Sequence, residues 1–152
     1  MLELSEVALR LGAAAAIGVA IGINRDLADK PIGMRTLALV TLGAASIALA
    51  GIQVSGMETN ADAMSRVVQG IIQGVMAGIS FIGAGVILRN PAARTVEGLT
   101  TAASVWVAAA LGVACGLGMW NVALIGTVIA VVLLVAARVA EKLGIKKPNP
   151  DQ

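Results

Sequence analysis

The residues of this chain that could do chemistry are concentrated in two short polar segments. The first runs from residue 24 to 36 and the second from residue 89 to 98. They predict a cluster of charges and hydrogen-bonding groups at one end of the protein, formed by Asn24, Arg25, Asp26, Arg35, Thr36, Arg94 and Glu97. This cluster could contact a partner protein, or it could only fix loop geometry and topology, and the sequence supports both interpretations.

A second polar group lies inside long apolar stretches. Gln69 and Gln73 are four residues apart and therefore share a helix face. Since lipid offers their amides no partner, they either join helices or line a polar pathway or ligand site. Thr100 or Thr101 is expected to cap the helix that follows it. The intramembrane polar candidates are Arg66, Gln69, Gln73, Thr100, Thr101 and Ser104.

Two arginines stand at the edges of apolar stretches. Arg10 can extend toward the headgroups or pair with Glu6, one helical turn before it. Arg66 has Asp62 four residues before it. Ionisable residues within membranes are functional candidates, but a position at the interface is equally typical of an anchor. Both interpretations of Arg66 stay open.

Five apolar stretches must position these residues. The chain is 58% hydrophobic and 13% charged, with a mean hydropathy of +0.90, whereas soluble domains carry about 25% charged residues. A helix needs about 20 apolar residues to cross a bilayer. We predict an all-α, polytopic membrane protein: a domain over residues 1–140 with spans at 7–23, 36–54, 67–88, 99–118 and 122–140, and a short basic tail at 141–152.

The distribution of basic residues predicts the orientation. With the N-terminus outside, only Arg10 and Arg66 lie near the outer edge of the membrane. The inner segments then hold nine basic residues, namely Arg25, Lys30, Arg35, Arg89, Arg94, Arg138, Lys142, Lys146 and Lys147. Because cytoplasmic loops carry the excess of lysine and arginine, we predict an outside N-terminus and an inside C-terminus.

Glycines at four-residue spacing predict close helix packing. Gly18 and Gly22 form one such pair in the first span. In lipid, small residues at this spacing let helix backbones approach each other. The ladder in the third span predicts that this span is the central helix of the bundle. The packing candidates are Gly70, Gly74, Gly78, Gly83, Gly85, Gly112 and Gly116.

Several function classes lack the residues that they need. The chain has no histidine and a single cysteine, Cys115, which lies within an apolar run. Histidine-based proton relays and the usual zinc sites therefore have no ligands. No nucleophile–base pair stands at motif spacing. We expect a protein that is not an enzyme, with no cofactor, no metal and no nucleic-acid partner.

Four sequence blocks resemble the MgtC/SapB family of membrane proteins. They are IGINRD at residues 21–26, GMRT at 33–36, GISFIGAGVI at 78–87 and GLTTAASVW at 98–106. The resemblance runs from about residue 7 to about residue 140. The chain differs from the family in having Asn24 where a glutamate is usual, although Arg25 is kept and a carboxylate follows at Asp26. Many members also carry a soluble C-terminal domain, which we expect this chain to lack.

The resemblance implies a role in adaptation to low magnesium and in virulence-type stress. It implies a bacterial inner-membrane protein that regulates or assists other membrane proteins, such as the ATP synthase or a P-type ATPase. The lipid bilayer and a second copy of the chain, most simply as a dimer, are further expected partners. The alternative is a magnesium transporter or channel component that works as an oligomer. Magnesium prefers oxygen ligands, and carboxylates are scarce in the predicted spans.

Overall fold

The computed structural model of the protein describes residues 2–54, 60–90 and 95–143. Within these ranges the chain forms five helices, each long and apolar enough to cross a membrane. The prediction of an all-α, multi-pass membrane protein is therefore confirmed. The helices are α1 (Leu4–Asp26), α2 (Met34–Ile52), α3 (Ala61–Val86), α4 (Leu99–Gly116) and α5 (Trp120–Lys142).

The largest difference from the predicted spans is at α3, which begins six residues before the predicted start at residue 67. The Asn60 side chain accepts a hydrogen bond from the Ala63 backbone N–H at 3.0 Å, as a helix-capping residue does. At its other end α3 stops at Val86. Two strands of three residues follow, β1 (Leu88–Asn90) and β2 (Thr95–Glu97), which pair antiparallel. The two paired strands lie between α3 and α4 in the chain.

The central helix is α4, and the prediction that the third span is central is wrong. In the most apolar 18-residue segment of α4, 61% of the residues are buried inside the bundle, whereas in the corresponding segment of α3 only 6% are buried. α4 packs against each of the other four helices. Several of its core side chains are small, as at Ala108 and Ala109, both fully buried. Small side chains let several neighbours reach the same helix at once.

Close backbone approach occurs where a glycine faces another helix. A methyl group added to Gly116 of α4 would lie 2.5 Å from the Ala45 carbonyl oxygen of α2, and one added to Gly112 would lie 2.9 Å from the Thr41 Cα. A methyl group on Gly18 of α1 would lie 2.6 Å from the Ala38 Cα and would also meet the Thr41 side chain. Glycines of both α1 and α4 therefore let these two helices approach α2 closely around Thr41.

The predicted glycine ladder of α3 does not make such contacts. A methyl group added to Gly70, Gly74, Gly78 or Gly85 would meet no atom within 4 Å outside its own helix. Gly83 is buried against α4, but its nearest neighbour, the Ala102 Cβ, would be at an ordinary 3.6 Å. Within this chain, four-residue glycine spacing marks close packing on α1 and α4 and not on α3.

The turn between α4 and α5 is closed by a glycine. Gly118 has a φ of +74°, a left-handed conformation that glycine adopts without steric cost. The Met119 N–H donates to the Ala114 carbonyl at 2.8 Å and the Gly118 N–H to the Cys115 carbonyl at 3.0 Å. This is the hydrogen-bond pattern of a Schellman motif, which satisfies carbonyls at a helix C-terminus. The chain can therefore reverse directly into α5.

Candidate functional site at the charged end of the bundle

Arg25 is the buried centre of the predicted polar cluster. It lies in the last turn of α1 and is only 3% exposed. One of its guanidinium nitrogens, Nη2, donates a hydrogen bond to the Thr101 hydroxyl in the first turn of α4. A buried guanidinium requires such acceptors, because removing a charge from water is costly. The pair therefore fixes α1 against α4 at this end of the bundle.

Asp26 binds the beginning of α2. Its carboxylate Oδ2 accepts a hydrogen bond from the Met34 backbone N–H at 3.0 Å. Met34 is the first residue of α2, and a carboxylate there satisfies an N–H that lacks a partner within the helix and lies at the positive end of the helix dipole. The carboxylate occupies the space beside Gly33 that a larger residue would fill. Asp26 thus connects the end of α1 to the start of α2.

A third contact brings α5 to the same end. The Arg138 Nη2 donates to the Leu27 carbonyl oxygen at 2.6 Å. Leu27 directly follows α1, where carbonyl groups lack helical partners and attract cations. The distribution of basic residues predicts that Arg138 lies on the same side of the membrane as the first polar segment, but it predicts no contact between them. Arg138 and Leu27 each stand at the end of an apolar span on that side, and this is the signal that the sequence contains.

The remaining members of the predicted cluster differ in how exposed they are. Asn24 is buried, at 9% exposure, whereas Arg35 and Thr36 are exposed at the start of α2. Glu97 lies in β2, of which only the backbone is described, and Arg94 lies outside the described residues. The structure therefore brings Arg25, Asp26 and Arg138 into contacts between elements, and leaves Arg35 and Thr36 on the surface.

The hydroxyl groups of α4 do not act as predicted. Neither Thr100 nor Thr101 caps this helix, because its N-cap is Gly98, in a left-handed conformation with a φ of +87°. Thr101 is buried and accepts from Arg25, while Thr100 is exposed. The buried Ser104 donates to the Thr100 carbonyl oxygen at 2.8 Å, a local bond that satisfies its hydroxyl within α4.

The polar side chains of α3 lie on the outside of the bundle. Arg66, Gln69 and Gln73 are all exposed in the single chain. They therefore do not join helices within this chain, and they do not line a path through its interior. The opposite end of the bundle holds Arg10, which pairs with Glu6 at 2.7 Å, one of the two arrangements predicted from the sequence.

A groove of about 810 Å³ runs between α2 and α3. Gly43 of α2 and the α3 glycines at 70, 74 and 78 form part of its wall, and the rest is almost entirely Ala, Val, Leu and Ile. Among the described residues that line the groove, Thr36 is the single polar one. The groove exists because the α3 glycines are not covered by another helix of the chain.

Acidic residues within the described ranges do not assemble into a metal centre. No group of three or more cysteine, aspartate and glutamate side chains lies close enough together there to hold a metal ion. At the charged end, the Asp26 carboxylate already accepts a hydrogen bond from the Met34 backbone N–H.

The chain is similar to proteins of one family along most of its length. The profile of the MgtC family matches residues 11–143. Protein SrpB of Synechococcus elongatus is 44% identical in a match that covers 80% of this chain and 69% of that protein. Protein MgtC of Salmonella typhimurium is 42% identical over 80% of this chain and 48% of its own length. Protein SapB of Bacillus subtilis is 33% identical over 76% of this chain and 50% of its own length.

The match therefore spans only about half of MgtC and SapB, and about two thirds of SrpB. No solved structure gives a significant match to this chain. The matched region includes both residues of the Arg25–Thr101 hydrogen bond.

Proposed function

Because this chain belongs to the MgtC family, we propose that it is a regulatory or accessory protein of the bacterial inner membrane. It acts in adaptation to low magnesium and in virulence-type stress, through contacts with other membrane proteins. The ATP synthase and P-type ATPases are the partner classes that we propose. Its charged end faces the cytoplasm, as the excess of basic residues at that end favours.

The observation that carries the proposal is that the polar side chains at the charged end fall into two groups, one that binds other parts of the chain and one that is exposed. Arg25, Asp26 and Arg138 each bind another element of the same chain, so they hold the helix ends in place. Arg35 and Thr36 project from the start of α2 and are exposed. A rigid end that presents an arginine at the membrane surface is suited to recognising an acidic group on a partner protein.

The arrangement of polar groups supports this proposal over transport through a single chain. The polar side chains of α3 lie on the outer surface, and the core between α1, α2 and α4 is filled by residues such as Leu37, Ala45 and Val105. Glu6, Asp26 and Asp62 stand in the first or last turn of their helices. A magnesium path needs oxygen ligands, usually with carboxylates among them.

Growth at low magnesium tests the proposed role. The full chain is expressed in a bacterial strain that lacks its own MgtC family protein. Arg35→Gln removes an exposed charge that holds no helix end, so we expect lost growth at low magnesium with unchanged membrane abundance. The matched control is Glu3→Gln, which changes an exposed charge just before α1 and should support full growth. Equal growth of the two variants contradicts the proposal.

A flux measurement separates the alternative function. The purified chain is reconstituted into liposomes that contain a magnesium-sensitive dye, and magnesium is added outside. We expect no flux above that of protein-free liposomes. Flux that depends on the protein, and that is lost in Gln73→Leu, would instead establish an oligomeric channel lined by α3.

A further inference from the structure

The face of α3 that points away from the bundle carries a line of polar side chains. Asp62, Arg66, Gln69, Gln73 and Ser80 are all exposed. At 3.6 residues per turn they fall within about 60° of the circumference of the helix. They therefore form one stripe, here called the α3 polar stripe, which is distinct from the apolar groove on the side of Gly70 and Gly74.

The stripe extends from the start of α3 to its middle and beyond, into the part of the helix that is predicted to cross the membrane. Gln73 is the thirteenth of the 26 residues of α3, so it stands at the middle of the helix. Ser80 is satisfied locally, since its hydroxyl donates to the Met76 carbonyl at 2.7 Å. The side chains of Gln69 and Gln73 make no hydrogen bond to another described residue of the chain. Against hydrocarbon an amide without a partner costs several kcal/mol.

We propose that a second copy of this chain covers the α3 polar stripe, with the two α3 helices side by side and parallel. Copies inserted in the same orientation are related by a two-fold axis along the membrane normal, which places each stripe residue near its own counterpart. A glutamine amide both donates and accepts, so Gln69 and Gln73 can each pair with the same residue of the partner copy. The surface is therefore complementary to itself.

The charged residues at the start of the α3 polar stripe also favour a second copy of this chain as its partner. Asp62 and Arg66 are one helical turn apart, and neither forms an ion pair with another described residue in the single chain. In the parallel pair, each Asp62 carboxylate lies diagonally across from the Arg66 guanidinium of the other copy. Lipid tails offer neither a charge nor a hydrogen-bonding group. A different protein would need matching groups at all of these depths.

Cysteine cross-linking in the membrane tests this arrangement. The full chain has one cysteine, Cys115, which Cys115→Ala removes. Gln69→Cys and Gln73→Cys are then introduced singly and oxidised in membranes. We expect a disulfide-linked product of twice the mass of the chain from both. The matched control is Ile72→Cys, since Ile72 is 43% exposed and adjacent in sequence but about 100° away around the helix; it should give little product.

Three results of the cross-linking would overturn the proposal. One is equal product from positions 72 and 73, which indicates random collision. Another is no dimer from either of positions 69 and 73, since each cysteine variant keeps the other glutamine. The third is a product whose mass corresponds to a different protein, which would identify another occupant of the stripe.

The strength of association gives a second, independent measurement. The association constant of the full chain is measured by energy transfer between labelled copies in bicelles at varied protein-to-lipid ratios. Gln73→Leu should lower this constant about 3- to 20-fold, the range measured for single hydrogen bonds between membrane helices. Ile72→Leu should leave it unchanged. An unchanged constant in Gln73→Leu contradicts the proposal, and because the residue is on the surface of the single chain the variant still folds.

Discussion

Arg10 of α1 holds the end of α4, because its Nη1 donates to the Gly116 carbonyl oxygen at 2.9 Å. The two residues are 106 positions apart in the sequence. The Arg10 side chain is only 13% exposed, and its Nε bonds the Glu6 carboxylate at 2.7 Å. A cation at a helix C-terminus is stabilised by the carbonyls that lack partners there. Arg10 therefore closes the end of the bundle opposite the Arg25–Thr101 bond.

Replacing Arg10 should destabilise the bundle. Arg10→Met keeps most of the apolar stem but removes the hydrogen bond to Gly116 and the pair with Glu6. We expect the free energy of unfolding to fall by about 1.5–3 kcal/mol, the range for hydrogen bonds to charged groups. Denaturation in bicelles, followed by tryptophan fluorescence, measures the change. Glu6→Gln should cost only about 0.3–0.5 kcal/mol, as for other helix ion pairs of this spacing. Equal losses in the two variants would contradict the role of the Gly116 contact.

Thr101 should contribute to stability, and its neighbour Thr100 should not. Thr101→Val preserves the shape of the side chain but leaves the buried Arg25 guanidinium without that acceptor. We expect a loss of about 1–3 kcal/mol of unfolding free energy. Thr100→Val changes an exposed residue of the same type and should stay within about 0.5 kcal/mol. The same bicelle denaturation measures both, and similar values for the two would disprove the importance of the Arg25 bond.

Gly112 and Gly74 should respond in opposite directions to the same substitution. Gly112→Ala places a methyl group 2.9 Å from the Thr41 Cα and 3.0 Å from the Ala44 Cβ, so α2 and α4 must separate. Such overpacking typically costs about 1–3 kcal/mol. Gly74→Ala meets open space and should raise stability by up to about 1 kcal/mol through helix propensity. Thermal denaturation in bicelles gives the sign of each change, and a loss in Gly74→Ala would contradict the packing described for α3.

Asp26 should stabilise the start of α2 through its bond to the Met34 N–H. Asp26→Ala removes the acceptor, and we expect a loss of about 0.5–2 kcal/mol, as for other capping residues. Asp26→Asn retains an oxygen acceptor and should lose less. Hydrogen exchange at the Met34 and Arg35 amides reports the effect locally. Unchanged exchange in Asp26→Ala would show that the carboxylate does not cap α2.

The sequence by itself determined the number of helices, their membrane-spanning character and the family. Each span is long and apolar on its own, and hydropathy is a property of each segment that does not depend on its neighbours. The resemblance read from the blocks around Arg25 and Gly98 is confirmed by the family match over residues 11–143. The orientation in the membrane and the roles of the surface residues at the charged end stay predictions.

Only the tertiary structure decided which helix is central and which polar residues meet. A glycine permits close approach but does not supply the facing helix, so equal spacing marks contact at Gly112 and open space at Gly74. In the same way, Arg25 and Thr101 are 76 positions apart, and no local pattern specifies that pairing. Both depend on how the helices pack around α4, because each contact requires a surface contributed by another helix.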